Sequence, residues 1–446
     1  MDFRISRISL LALGCAAIGT ADAAKLPPHV TDQPVNRTRM PIREIGTTVE
    51  RQIDAGFTAL EHHSFDPFAN YWGTWLTNPV GGRERGSSWA QLLVFGGEYH
   101  FDHLGWQGGS VFASATDFAG FNLSEKVGNV FTLSQAVVSD TFALYSLYLR
   151  QQFSDGRIDL RIGRMSAGEF FATLPIMGLP VGGAVNGNPT SLFTNAPFHA
   201  TGSASWGAFV KGMPTAATYL QAGIFQASPQ TGVPANHGVN FAIERGDGEL
   251  LMLEAGWLPT FAAPDTTSPT PPDKKTVAAA DPSLPGHYSF GGYYANYTFP
   301  TFTGGVAHNA FGFYTQGQQM VWRSTANPDH NLTVWSGLTF SPQEEFALLP
   351  LMAYGGIAWQ GLIPGRDRDT ALLNAYLGGF SRDYARQQAA AGAGFSTLET
   401  VFEASYIVQL TQNLQFQPDV QWVIQPGGTR SIPNALVVGF QVSALF

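Results

Sequence analysis

Cysteine is almost missing from this chain: Cys15 is the only one in 446 residues. Charge is scarce as well, at 13% of residues against roughly 25% in ordinary soluble domains. No stretch approaches the ~18 uninterrupted apolar residues that a spanning helix needs. Nor is there a basic excess, since 24 Lys and Arg face 33 Asp and Glu for a net charge of -9. No basic excess is then available to neutralise a phosphate backbone, which argues against a nucleic-acid partner. What the chain does have is aromatics, at 13%, and 50 glycines, with a mean hydropathy near zero. Abundant aromatics and low charge argue against disorder. A charge-poor, aromatic-rich and glycine-rich chain without a helical span fits the membrane β-barrel, whose strands dilute the apolar signal by alternation.

The amino terminus has the layout of an export signal. Arg4 and Arg7 form a positive start, Ile8 to Ile18 supply a short apolar core, and Ala21-Asp22-Ala23 is a small-x-small cleavage site. Residues 1–23 are therefore set aside as a signal peptide. Cleavage there removes Cys15 and with it disulfides, thiol catalysis and thiolate metal sites. The alternative, a lipoprotein signal at Ala12-Leu13-Gly14-Cys15, has Ala where a large aliphatic residue is wanted. Residues 24–67 are expected to form a periplasmic segment with a short helix over Pro41 to Ala55, where Ile45, Val49 and Ile53 recur at four-residue spacing.

The barrel pattern is clearest near the carboxyl terminus. Leu414, Phe416, Pro418, Val420, Trp422 and Ile424 alternate with Gln415, Gln417, Asp419, Gln421, Val423 and Gln425. Successive strand side chains point to opposite faces, which gives one greasy face and one wet face. Similar segments run over 401–410 and 436–446, the last ending on Phe446. Working backward, further segments centre near residues 72, 95, 113, 147, 161, 209, 222, 254, 293, 315, 336, 356 and 376. The total is about 16, an even count suited to a closed antiparallel barrel over 68–446 with both termini on the periplasmic side. Connections after odd strands then face outward, with 119–139, 167–203, 228–248 and 383–396 the long ones. The Pro/Thr-rich stretch 261–286 reads as a flexible insertion on an unassigned side.

Several segments resemble the carbohydrate-selective porins of bacterial outer membranes, the OprB-type family. They include Glu399-Thr400-Val401-Phe402-Glu403-Ala404-Ser405-Tyr406, Gln417-Pro418-Asp419-Val420-Gln421, Pro426-Gly427-Gly428 and Pro433-Asn434-Ala435-Leu436. Ala358-Trp359-Gln360-Gly361-Leu362-Ile363-Pro364-Gly365-Arg366 is similar to a strand and tight turn of that family. Leu149-Arg150-Gln151-Gln152-Phe153 with Leu160-Arg161-Ile162-Gly163-Arg164 is similar to its mid-barrel hairpin, and Phe290-Gly291-Gly292-Tyr293-Tyr294 to a later strand. The resemblance implies a 16-stranded porin admitting sugars across the outer membrane. It departs at the amino terminus, where the Gly-Asp-Trp-Gly-Gly stretch usual in the family has no counterpart over Asn36 to Ile45.

Such a protein selects a solute and does not turn it over. A sugar needs hydrogen-bond partners for its hydroxyls and aromatic faces for its C–H surfaces, held weakly enough for it to leave. Strand parity puts Arg150, Arg157, Asp159, Arg161, Glu254, Glu403, Asp419 and Gln421 in the lumen as pore-lining candidates. A charge facing the lipid midplane would cost about 2–4 kcal/mol. The alternative for each is a residue that merely wets or cross-links the wall. Within 167–203, Phe170, Phe171, Asn186, Asn188, Phe193, Asn195 and His199 are candidates for a constriction folded into the barrel, or else for an ordinary outer loop. Arg83, Glu84 and Arg85 belong to the first outward loop, near the mouth or simply solvated.

Catalytic chemistry finds little footing. His62 and His63 are adjacent, not one helical turn apart as in a zinc pair, and the other histidines are scattered. No Gly-x-Ser-x-Gly elbow occurs, and Arg245-Gly246-Asp247-Gly248 is a turn sequence. No cofactor or metal is expected. The expected partners are small carbohydrates and outer-membrane lipid, with a homotrimer as one assembly such a barrel can take. The rival readings are a general or anion-selective porin of the same shape and, from another class, a barrel hydrolase.

Overall fold

The computed structural model describes residues 48–136, 140–185, 187–262 and 283–446. The expected signal peptide, Asn186 and most of the Pro/Thr-rich stretch lie outside the described residues. Helix α1 spans Thr48–Glu61 and carries Glu50 in its first turn, where the helix dipole favours an acid. It ends later than the expected Ala55. Strands follow as β1 (Phe65–Val80), β2 (Ser87–His100), β3 (Gly109–Gly120), β4 (Thr141–Phe153), β5 (Ile158–Met165), β6 (Ser205–Thr215), β7 (Thr218–Ala227) and β8 (Gly248–Trp257). Next come β9 (Thr260–Ala262), β10 (Ser283–Pro300), β11 (Val306–Arg323), β12 (Asn331–Phe340), β13 (Leu351–Gln360), β14 (Thr370–Gly379), β15 (Leu398–Gln409), β16 (Leu414–Ile424) and β17 (Ala435–Leu445).

Apart from β8 and β9, which both pair with β10, each strand pairs antiparallel with its sequence neighbours, and β1 pairs with both β2 and β17. That second pairing closes the sheet and leaves no free edge. Residues Ala69 and Phe446 exchange backbone hydrogen bonds at 3.1 and 3.0 Å, so the carboxyl terminus is stitched to the first strand. The short β9 and the longer β8 pair with successive parts of β10 and form one interrupted wall strand. The barrel therefore has sixteen strands, and every centre expected from the sequence falls within one of them. The wall begins at Phe65, a little before residue 68.

The first wall strand begins and the last ends at one end of the barrel, which is the periplasmic side where such barrels carry their short turns. The connections there are mostly short, at 101–108, 154–157, 216–217, 324–330, 361–369 and 410–413. The opposite end carries 121–140, 166–204, 228–247 and 380–397, the four long connections expected to face outward. The stretch 261–286 is anchored at the periplasmic end. Its edges are not loop: Thr260–Ala262 pairs with the first residues of β10, from Ser283 to Pro285. Helix α1 packs at the same end, where the Thr411 hydroxyl donates to Glu50 and the Asn413 amide donates to Asp54 at 3.0 Å.

Burial fixes the two faces. On β16, Asp419 and Gln421 are 1% exposed, whereas Val420 is 45% and Trp422 36% exposed. The wet face is thus the inside, and the greasy face forms an apolar outer band. Trp89, Phe142, Trp206, Phe340 and Trp422 mark this band towards its extracellular side. Trp257, Phe261, Trp322 and Trp359 do so towards the periplasmic side. Aromatic girdles of this kind sit at the two membrane interfaces. Among the described residues no helix is long and apolar enough to cross a membrane; the chain crosses with strands.

The lumen is partly filled. Phe170, Phe171, Leu192 and Phe198 of the 166–204 connection pack on Phe112, Tyr148, Phe209, Leu250 and Tyr314 of one wall. Leu174, Ile176, Met177 and Val185 pack with Phe131 and Leu133 on Tyr354, Tyr376, Val401 and Val423 of another. The connection therefore crosses the inside of the barrel between two apolar patches of its wall.

Candidate functional site

Wall carboxylates hold the inward-folded segments by their backbone. Glu403 on β15 accepts the Val181 N–H at 2.7 Å and the Gly182 N–H at 3.0 Å, while the Tyr376 hydroxyl donates to its other oxygen at 2.7 Å. Glu254 on β8 accepts the Ala172 N–H at 3.0 Å, the Tyr219 and Tyr314 hydroxyls at 2.7 Å each, and the Gln221 amide at 2.9 Å. Glu399 accepts the N–H groups of Val130, Phe131 and Gly427. A carboxylate is acceptor-only with two oxygens, so it can satisfy several otherwise orphaned N–H groups in an irregular segment that has no sheet partner.

Glycine makes room for these tyrosines. Gly256 lies directly across from Tyr219, and a Cβ there would come within 1.9 Å of the ring. Gly291 faces Tyr314 in the same way, with its Cβ 2.3 Å from the hydroxyl oxygen. Without side chains at these positions the rings lie along the wall and present their hydroxyls to Glu254.

A second cluster lies on β2, β4 and β5. Arg150 donates through Nη1 to Glu98 at 3.2 Å and through Nη2 to Asp159 at 2.8 Å. Arg161 grips Asp159 through Nε at 3.1 Å and Nη2 at 2.8 Å, and its Nη1 donates to the Tyr148 hydroxyl at 3.1 Å. Its guanidinium also lies 5.0 Å from the Phe170 ring centre and 5.7 Å from that of Phe209. Opposite charges thus alternate along Glu98, Arg150, Asp159 and Arg161, and a ring from the inward connection covers the last of them. Arg161 is buried, whereas Arg150 keeps partial exposure.

The structure distributes the sequence candidates unevenly. Arg150, Asp159, Arg161, Glu254, Glu403, Asp419 and Gln421 all face inward, as parity requires. Arg157 does not belong with them: it lies in the exposed turn 154–157, because β5 begins only at Ile158. Gln421 donates to the Leu133 carbonyl at 2.9 Å and to Asp419 at 2.8 Å. Phe170 and Phe171 are buried against the wall, while Phe193 is exposed and meets Phe198 edge-on at 5.2 Å. Asn188 donates to the Phe171 carbonyl at 2.8 Å. Asn195 donates to the Leu349 carbonyl at 2.7 Å and accepts its N–H at 3.1 Å. These amides knit the connection together and tie it to the 341–350 loop. Arg83, Glu84 and Arg85 occupy the first outward loop.

Parity alone could have found Glu399, four residues before Glu403 on the same face, and Glu98. The tyrosine donors had no sequence signal beyond glycine on the neighbouring strand. Within the inward connection, desolvation pushes the Glu169 carboxyl above its ordinary value and the His199 imidazole down to about 4. Both groups thus favour their neutral forms more than they would in water. Among the described residues no group of three or more His, Cys, Asp or Glu is placed to hold a metal ion.

Comparison with known proteins agrees with this architecture. The model of the carbohydrate-selective porin family, OprB, matches residues 98–446. Porin B of Pseudomonas aeruginosa is 24% identical over 429 residues, spanning 87% of this chain and 89% of that protein. The high-pH structure of OprB from Pseudomonas putida superposes with a TM-score of 0.76 at 19% identity, covering 87% of this chain and 96% of that one. Its low-pH structure gives 0.53 at 18% identity over similar shares. The chain belongs to the OprB family of carbohydrate-selective porins and is a carbohydrate porin of the bacterial outer membrane.

Proposed function

We propose that the pore passes monosaccharides or polyols of similar size by facilitated diffusion, and that the 166–204 connection sets its cross-section. The observation that carries this reading is the double anchoring of that connection inside the barrel, through Ala172 on Glu254 and through Val181 and Gly182 on Glu403. A segment tied to two walls narrows the space left for a solute. The half-buried Arg150, with acids on either side, offers both donors and nearby acceptors to a polyol without a net charge that would favour ions of one sign. Asp159 and Arg161 hold Arg150 in place, Gln421 braced by Asp419 holds the 121–140 connection, and Asn188 and Asn195 position the 166–204 connection. Channel action without turnover fits the absence of any nucleophile–base motif in the sequence. The segment 1–23 serves as the export signal in this reading, and a homotrimer is tested by chemical cross-linking in native membranes.

Liposome swelling over sugars of increasing size tests the proposal. Rates should be high for monosaccharides and fall steeply from disaccharides to trisaccharides. Equal rates for sugars, amino acids and small anions of matched size would instead indicate a general porin.

A further inference from the structure

The 228–247 connection leaves the extracellular end of β7 and does not stay above the barrel. The Leu144 N–H donates to the His237 carbonyl at 3.0 Å, the Trp206 indole to the Phe241 carbonyl at 3.0 Å, and the Gln226 amide to the Ala242 carbonyl at 3.0 Å. Trp206 and Gln226 point outward by strand alternation, so the segment lies against the outside of β6 and β7, while its His237 carbonyl meets the backbone of β4 edge-on. Arg164 explains why it stays there. Its cross-strand neighbours are Leu147 and Trp206, both exposed on the outer face, and by register Arg164 shares that face. Yet it is only 6% exposed. Its Nη1 donates to the Asn240 carbonyl at 2.9 Å, Nη2 donates to the Ala204 carbonyl at 2.6 Å, and the Phe241 ring covers the guanidinium at 4.9 Å. The connection screens a cation that the wall would otherwise turn towards lipid.

The same segment leaves large apolar groups exposed, Phe241 among them by the part of its ring that Arg164 and Trp206 leave uncovered. Val239 is 57%, Phe241 42% and Ile243 73% exposed. They recur at every second residue, as along a strand. They are also continuous with the greasy band of the barrel, because Phe241 is bonded to Trp206 of the extracellular girdle. Three large apolar side chains at that level are costly in water and favourable among acyl chains.

We propose that the 228–247 connection is a lipid-docking strap, which closes over Arg164 and seats Val239, Phe241 and Ile243 in the outer leaflet at the level of the extracellular aromatic girdle. The partner is the acyl-chain surface of the bilayer. A Cys15→Ser background permits single nitroxide labels at Ile243→Cys, with Leu253→Cys as the lipid-exposed reference and Ala391→Cys as the aqueous one. The full chain is reconstituted in phosphatidylethanolamine–phosphatidylglycerol vesicles, and its conductance confirms folding. The ratio of oxygen to nickel-chelate collision rates at 243 should exceed that at 391 severalfold and lie below that at 253, as its shallower level requires. A ratio equal to that at 391 would overturn the proposal. So would low access to both reagents with dipolar broadening between labels, which would mean that the strap meets a second copy of the chain.

Discussion

Glu403 accepts the backbone N–H of Val181 at 2.7 Å across 222 residues of sequence. A wall strand near the carboxyl terminus thereby fixes a connection from the first half of the chain inside the barrel. Replacing the carboxylate, as in Glu403→Ala, leaves the N–H groups of Val181 and Gly182 without an acceptor at a cost of about 1–3 kcal/mol for each buried group. Glu254 still holds Ala172, so the connection should loosen at one end only. Single-channel recordings should show larger, noisier currents and weaker sugar block, while the barrel remains folded by heat-modifiable gel mobility. Unchanged conductance would separate the clamp from the pore.

The outward face answers to a different solvent. Val420→Arg places a cation in the middle of the lipid-facing band and should destabilise the barrel by about 2–4 kcal/mol in a bilayer folding titration. Val420→Leu should be close to neutral. Equal effects for the two substitutions would argue against lipid contact on this face.

Alternation of the kind seen along β16, repeated down the chain, makes the barrel, its even strand count and its long outward connections legible in the sequence, because period-2 patterning is a local property of the chain. Inward direction was legible for Arg150, Glu254 and Glu403 for the same reason. Their partners were not. Glu254 and Glu403 had the look of sugar ligands, yet they meet backbone N–H groups of a connection folded back from far away in sequence, and no periodicity encodes such a contact. Arg157 falls outside the lumen set because the 154–157 turn interrupts the strand before β5 begins at Ile158. Asn188 and Asn195 have the residue type of a polyol-binding constriction, but an amide in an irregular segment equally well satisfies nearby backbone carbonyls.

The inward connection should also respond to acid. His199 is held near 4 by desolvation, below the ~6.5 of an exposed imidazole. Its contribution to stability is complete above about 6.5 and is lost as pH falls towards 4, because the unfolded imidazole takes up a proton that the folded one disfavours. Hydrogen exchange of the 166–204 backbone should therefore accelerate over that window. His199→Gln should flatten that part of the profile, and a profile unchanged by the substitution would assign the effect to other groups.

Arg150 joins Glu98 to Asp159 and keeps partial access to the lumen. Arg150→Gln removes one positive charge and leaves Asp159 paired with Arg161. The reversal potential in a salt gradient should shift towards cation selectivity, and the concentration of sugar needed for half-block should rise severalfold. A shift in ion selectivity without any change in sugar block would confine Arg150 to the electrostatics of the pore.

Ion current through single channels in a planar bilayer, recorded during a glucose titration, addresses sugar passage most directly. A solute that enters and briefly occupies the narrowed lumen should lower the current in a saturable way at millimolar concentrations, with added current noise. Current that falls only in proportion to the lower conductivity of the bulk solution would contradict a carbohydrate site in the pore.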